Sequence, residues 1–205
     1  YGKLLLNKAG LPQSTGVSEK IGDQQADCML GWNNSFRYKN FALSFQIDGR
    51  LGGDIYSYTN YALQIAGRAE CTAPGGMREN FVVDGVIAQQ DGTYAPSTIK
   101  VSQQDYWQAI GTGNTGIGEA NIYDATNIRL RNIALNYSFP SSMLKKTIFQ
   151  QLKLGFSVNN VWMIYSDMNG IDPEAVFITN TNATGFENCA SPTSRSYLFN
   201  VTLGF

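Results

Sequence analysis

The sequence contains no histidine, and this one absence removes His-based catalytic triads, zinc sites with imidazole ligands and His-ligated haem. Charge is scarce as well. Charged residues make up 15% of the 205-residue chain, against roughly 25% in an ordinary soluble domain. The formal net charge is -1, so no overall electrostatic footprint favours nucleic acid or anionic lipid. The three cysteines, Cys28, Cys71 and Cys189, show no CxxC spacing, and an odd number cannot all pair within one chain. Either none is functional or Cys71 and Cys189 join two loops. No run of 18 apolar residues exists to form a membrane helix. A signal peptide is also missing, and the opening "YGKLLLNKAG" does not read as a mature start, so the chain reads as a piece of something longer.

What the sequence has instead is 21 Gly, many Asn and an aromatic content of 12%. Much of this is laid out with a period of two, the signature of strands with one wet and one apolar face. In 41–51 the odd positions Phe41, Leu43, Phe45, Ile47 and Leu51 are apolar, and the even positions are small, polar or charged. Leu30, Trp32, Phe36 and Tyr38 alternate in the same way, as do Leu152, Leu154, Phe156 and Val158. The last stretch sets Tyr197, Phe199, Val201, Leu203 and Phe205 against Ser196, Asn200, Thr202 and Gly204. Between Ile128 and Phe139 the phase slips once, and one extra residue near Asn132 restores it, which predicts a β-bulge there.

The reading is therefore all-β, with strands near 26–38, 41–56, 126–139, 152–165 and 194–205. Their connections alternate in length: a tight "YKN" turn, a long loop over 57–124, a moderate link "PSSMLKKTIFQQ" with room for a short helix, then a long loop over 166–193. Short turns on one side and long loops on the other are the layout of an outer-membrane β-barrel. A strand of about 12 residues, at roughly 3.3 Å per residue and tilted by roughly 45°, rises about 28 Å and crosses the hydrocarbon layer. Aromatics near strand ends (Tyr38, Phe41, Phe139, Phe205) suit an interfacial girdle. The alternative is a soluble secreted β-sandwich that binds carbohydrate, whose strands alternate too.

Four stretches in order, "YKNFALSFQIDGRLGGDIYS", "IRLRNIALNYSFP", "IDPEA" and the ending "SPTSRSYLFNVTLGF", resemble the C-terminal barrel portion of the SusC/RagA family of TonB-dependent outer-membrane transporters from Bacteroidetes. The resemblance runs from about Ile21 to Phe205. It implies that the chain is a segment of about five to six antiparallel transmembrane strands from a much larger barrel, with long extracellular loops and with the plug domain and N-terminus absent. It further implies TonB-dependent import of a large nutrient, an oligosaccharide or an oligopeptide, with a SusD-like surface lipoprotein as lid and TonB acting through the missing plug. No enzymatic activity, cofactor or metal is implied. Such a segment sits in the cell outer membrane, meets its lipid, and resembles clients of the barrel-assembly machinery, with Tyr197, Phe199 and Phe205 as the assembly signal.

Five charges, Asp48, Arg50, Arg129, Arg131 and Lys153, fall on the wet faces of their strands. A charge facing lipid costs roughly 2–4 kcal/mol at the midplane, so these belong in the lumen, pairing with one another, lining the solute path or touching the plug. Tyr94, Tyr106 and Trp107, set among Gly, Gln and Thr in the 57–124 loop, are the ligand-binding candidates, because aromatic faces with polar neighbours suit sugars, peptides or a partner surface. "GTGNTG" (111–116) has the spacing of a dinucleotide motif, but no strand and helix flank it. It reads as loop. Asp167, Asn169, Asp172 and Glu174 in "SDMNGIDPEA" could offer oxygens to calcium, yet the EF-hand order is missing. Asn-Gly and Asp-Pro make a turn the simpler reading.

Overall fold

The computed structural model describes residues 2–111, 116–168, 170–176, 178–179 and 181–205. Residues 112–115 of the glycine-rich stretch 111–116, expected as loop, and Asn169 of the acidic cluster lie outside the described residues. The chain divides into two compact units, one made of Gln24–Asp54, Asp124–Val176 and Ala190–Phe205, the other of Tyr1–Asp23, Ile55–Tyr123 and Phe177–Cys189.

The first unit is a five-stranded antiparallel sheet of β1 (Cys28–Tyr38), β2 (Phe41–Leu51), β3 (Asn127–Ser138), β4 (Gln151–Ser166) and β5 (Ser196–Gly204). Neighbours in space are neighbours in strand order throughout, the up-and-down pattern from which barrels are closed. A two-residue turn with Lys39 at φ 50° joins β1 to β2. At the same end of the sheet, the short helix Ser141–Leu144 lies in the link from β3 to β4. The long connections leave from the other end.

The phase slip in β3 is a bulge. Its pairing with both neighbours shifts between Leu130 and Asn132, leaving Arg131 as the extra residue. Opposite it, β4 slips at the same level: Leu130 faces Trp162 while Asn132 faces Asn159, and Asn160 between them adopts φ 51°. The two irregularities keep Ile128 and Leu130 on the same face as Ile133, Leu135 and Tyr137.

The strand expected over 41–56 is shorter, ending at Leu51. Gly52 and Gly53 take φ 71° and 83°, a left-handed conformation that costs glycine nothing and turns the chain out of the sheet. The turn is fastened where the Gly52 amide donates to Thr126 Oγ1 at 2.8 Å and the Ala125 amide to Gly53 O at 2.8 Å. Beyond it Asp54–Ser57 belongs to a different, three-stranded sheet.

The second unit contains helices and short strands within 57–124, where the sequence pattern alone predicts loop. A small core of Leu6, Val83 and Val101, flanked by Phe81, Ile87, Ile99 and Tyr106, lies within it. Helices α1 (Tyr58–Ile65) and α2 (Gln103–Ile110) begin at serine caps: Ser57 Oγ accepts from the Asn60 amide and Ser102 Oγ from the Asp105 amide. Each satisfies one of the amides that a helix start leaves unpaired. The helices approach closely at Gly111, whose carbonyl accepts from Tyr61 Oη at 2.7 Å. A Cβ at Gly111 would collide with the Ile65 side chain. The Phe186–Glu187 strand runs parallel to Asp54–Ser57. It brings the buried Glu187 carboxylate onto the start of α1, where it accepts from Ser57 Oγ (2.9 Å), the Thr59 amide (3.1 Å) and Thr59 Oγ1 (2.5 Å). All three cysteines are free, so Cys71 and Cys189 are not joined.

Candidate functional site

Paired residues in an antiparallel sheet point to the same side, so the register of the five strands sorts the side chains into two faces. One cross-strand row reads Phe36, Leu43, Leu135, Phe156, Phe199, apolar on every strand. The next, toward the tight-turn end, reads Tyr38, Phe41, Tyr137, Leu154, Val201. These side chains are not the core of anything. Phe36 is 56% exposed, Phe156 48% and Phe199 68%. A soluble sandwich needs its greasy face under a second sheet, whereas a membrane wall needs it bare. At the tight-turn end the rings gather: Phe41 lies 4.6 Å from Tyr137, Tyr137 lies 4.9 Å from Phe139, and Phe149 lies 5.3 Å from the terminal Phe205. The assembly candidates Tyr197, Phe199 and Phe205 all belong to this apolar side and are exposed.

The opposite face is polar in the same orderly way. One row reads Asn33, Gln46, Asn132, Asn159, Ser196, and hydrogen bonds run along it: Asn132 Nδ2 donates to Asn159 Oδ1 at 2.6 Å, and Asn159 Nδ2 to Ser196 Oγ at 3.0 Å. Above this row sits a charge network. The bulge aims Arg131 so that its Nε donates to Asp48 Oδ2 at 2.8 Å while its two terminal nitrogens grip both oxygens of Glu174 at 2.7 and 2.6 Å, the bidentate geometry that suits arginine. Arg129, only 3% exposed, donates to Asp172 Oδ1 at 2.5 Å and to Thr193 Oγ1 at 2.7 Å. Thr193 closes the triangle by donating its hydroxyl and its amide to Asp172 Oδ2.

Burial acts first on the Asp172 carboxyl and would raise its pKa. Bonds from Thr193 and Arg129, with the Glu174 and Thr193 amides, outweigh that and hold it at about 2. The loop carrying "IDPEA" is thereby stitched to β3, with Pro173 and Ala175 buried.

Of the charges expected on the wet face, Asp48, Arg129 and Arg131 meet in this network. Arg50 instead secures the end of β2, donating to Gln24 O (2.8 Å) and Gly52 O (3.3 Å). Lys153 stands apart between Ser138 and Thr202. The acids considered for calcium are committed elsewhere: Asp172 and Glu174 to arginines, Asp167 to the Tyr165 hydroxyl at 2.6 Å. No group of three metal-ligating side chains occurs among the described residues. The opposite charges of "IRLR" and "DPE" were a legible sign that the two motifs pair; reading each alone missed it.

The three aromatic ligand candidates separate. Tyr106 and Trp107 are in contact on α2, 5.1 Å between rings, and border a cavity of about 420 Å³ together with Phe81, Met77 and Cys71. Tyr106 also packs on Phe81 at 5.2 Å and so belongs partly to the small core. Tyr94, 64% exposed on its own short strand, lines neither this cavity nor its neighbour. That neighbour, about 240 Å³, has Trp107 and Gln103 in its wall together with Gln64 and Arg78. Gln64 carried no signal in the sequence, because "YTNYALQI" does not say which face of its helix is inward.

No protein-family model matches the chain. TonB-dependent receptor P3 of Formosa agariphila is 27% identical over 197 residues, which is 94% of this chain and 18% of the receptor. Receptor P39 of the same organism is 29% identical over 187 residues, 90% of this chain and 17% of the receptor. Among solved structures, the RagAB peptide importer in its open-open state superposes with a TM-score of 0.56 at 16% identity, over 86% of this chain and 17% of that one. The closed-closed state gives 0.57 at 15%, over 92% and 18%. The chain thus spans under a fifth of the length of the relatives it matches, and it shares the fold of the matched part of the solved ones.

Proposed function

We propose that this chain, a barrel segment related to TonB-dependent outer-membrane receptors of the SusC/RagA kind, supplies wall and outward loops for the energised import of an oligosaccharide or oligopeptide. The observation that carries this is the two-faced meander: five strands with an exposed apolar face and an opposite face of amides, hydroxyls and paired charges. The apolar face meets hydrocarbon, and the polar face, with Asp48, Arg129, Arg131 and Lys153, meets the lumen. The tight turns lie at the periplasmic side and the long connections outside, where they form part of the solute cavity and a contact surface for a SusD-like lipoprotein. TonB acts through a plug outside this chain. Transport of solute, with no bond made or broken, is the work. The likeness to a peptide importer supports the architecture and keeps peptides among the cargoes.

The test is a deletion strain lacking the full-length receptor, complemented or not, grown on a panel of single glycans and on peptide digests as sole carbon source. Growth on at least one should depend on the receptor and cease when the proton-motive force is collapsed. Normal growth of the deletion strain on every member would refute the import role.

A further inference from the structure

We infer that the tight-turn end of the five-stranded sheet is a docking rim for anionic phospholipid headgroups, an assignment that rests on the orientation proposed above and adds the class of lipid. The net charge of -1 hides a separation of charge along the strands. No Asp or Glu occurs in 28–47, 125–166 or 190–205, the stretches that supply nearly all of the five strands. The carboxylates of this unit stand at the level of Asp48 or beyond it, toward the long connections. On the tight-turn side of the Asn33–Gln46–Asn132–Asn159–Ser196 row, the charged side chains are Arg37, Lys39, Lys145, Lys146 and Lys153, all exposed. Among the described residues none of the five takes part in an ion pair.

Arg37 and Lys153 share the polar face with Ala42 and Thr202, so they point to the lumen and only add to the field. Lys39, Lys145 and Lys146 belong to the turns themselves. Lys39 Nζ lies 5.3 Å from the centre of the Tyr38 ring, which stands in the apolar row. The link carrying Lys145 and Lys146 leaves at Phe139 and returns at Phe149, whose rings pack on Tyr137 and Phe205 of the apolar side. It is a fixed turn: the Met143 amide donates to Pro140 O at 3.0 Å, the Thr147 amide to Leu144 O at 2.8 Å, and Leu144 is buried. Met143 and Ile148, on either side of the two lysines, are 59% and 76% exposed. Aromatic and apolar side chains continuous with a hydrocarbon-facing wall belong at the headgroup level of a bilayer, and a lysine there keeps its stem on apolar surface while its ammonium reaches the phosphates. Lys145 and Lys146 repel each other and have no carboxylate side chain on their side of the sheet, so their counter-anion comes from outside the chain. A zwitterionic headgroup brings its own ammonium beside its phosphate. A net negative one, of the phosphatidylglycerol type, matches the rim. An acidic soluble protein would leave Met143, Ile148 and the rings facing water.

The experiment uses the full-length receptor, stripped of lipid in a neutral detergent and titrated with phosphatidylglycerol, phosphatidylethanolamine or lipid A, with bound lipid counted by native mass spectrometry. A lysine near an anionic membrane surface strengthens attachment about fivefold, so phosphatidylglycerol should bind about tenfold or more tightly than phosphatidylethanolamine. That margin should shrink as salt rises from about 50 to about 500 mM. Lys39→Gln, Lys145→Gln and Lys146→Gln together should erase it, and arginine at the same three positions should keep it. Lys3→Gln, Lys8→Gln and Lys100→Gln in the second unit, which change the net charge equally, should leave it as it is. Heat-dependent gel mobility verifies that each variant is folded, and the arginine variant and the salt series test the rim even where the glutamine variant does not fold. Equal affinity for the two phospholipids would overturn the rim, as would a margin untouched by the glutamine variant or by salt, or one lost equally in the second-unit variant. Tighter binding of lipid A through the same three lysines would place these turns in the outer leaflet and overturn both the rim and the orientation. A receptor on which growth depends, yet which binds both phospholipids alike, refutes the rim alone and leaves the import role standing.

Discussion

Phe156 lies five residues from the start of β4, which at roughly 3.3 Å per residue and a tilt of roughly 45° places it about 12 Å from the tight-turn end. The apolar band of a barrel is about 25 Å tall, so the ring sits near its midplane. Replacing it with lysine puts a charge there at about 2–4 kcal/mol and forfeits the ring's own transfer energy of about 1.5–3 kcal/mol. The sum, about 4–7 kcal/mol, is a factor of about 10³–10⁵ in the folding equilibrium. Ser157, the next residue, points to the polar face between Ala134 and Leu198, and Ser157→Lys there costs less than about 1 kcal/mol. The assay is urea titration of the full-length receptor refolded into lipid vesicles, followed by its heat-dependent gel mobility, with outer-membrane abundance in cells as the second readout. Phe156→Lys should lose both the folded band and the cellular signal, and Ser157→Lys should keep both. Equal damage from the two substitutions, or greater damage from Ser157→Lys, would refute the assignment of faces and with it the membrane wall.

Removing one partner of the buried Arg129–Asp172 pair leaves a charge without compensation, so Arg129→Met should loosen the connection between β4 and β5 by about 3–5 kcal/mol, seen as faster protease cleavage there. Arg129→Met with Asp172→Leu should recover part of the loss, and additive effects would show that the two do not interact. Because the Asp172 carboxyl is held at about 2 against an ordinary 3.8, its contribution, on the order of 2 kcal/mol, is complete above pH of about 4 and fades as pH falls toward about 2. Cleavage of that connection should therefore be the same at pH 7 and pH 5 and rise only below about 4; opening at pH 5 would contradict the pairing. Deleting Phe205, which packs on Phe149, should lower the amount of receptor in the outer membrane, measured by quantitative immunoblot of membrane fractions, and unchanged levels would remove it from assembly.

The faces of the strands were legible because alternation is a local property: Leu43, Phe45 and Ile47 announce a side within five residues, and the lost phase near Asn132 announces the bulge. The break after Leu51 was legible too, in principle, since two consecutive glycines end a strand, but the alternation running on through Ile55 concealed it. Capped helices inside 57–124 were missed because eight residues carry too little periodicity to declare an inward face. Which strands touch, and what holds the loops, lay beyond the sequence. β2 pairs with β3 across the whole of that insertion, and Arg131 finds Asp48 83 residues away and Glu174 43 residues away. Likewise, Glu187 reaches back over 130 residues to cap α1. One-dimensional order records the preference of each side chain for water or hydrocarbon, because that preference belongs to the side chain itself. The identity of a charge's partner belongs to the space between distant segments, and only the folded chain creates that space.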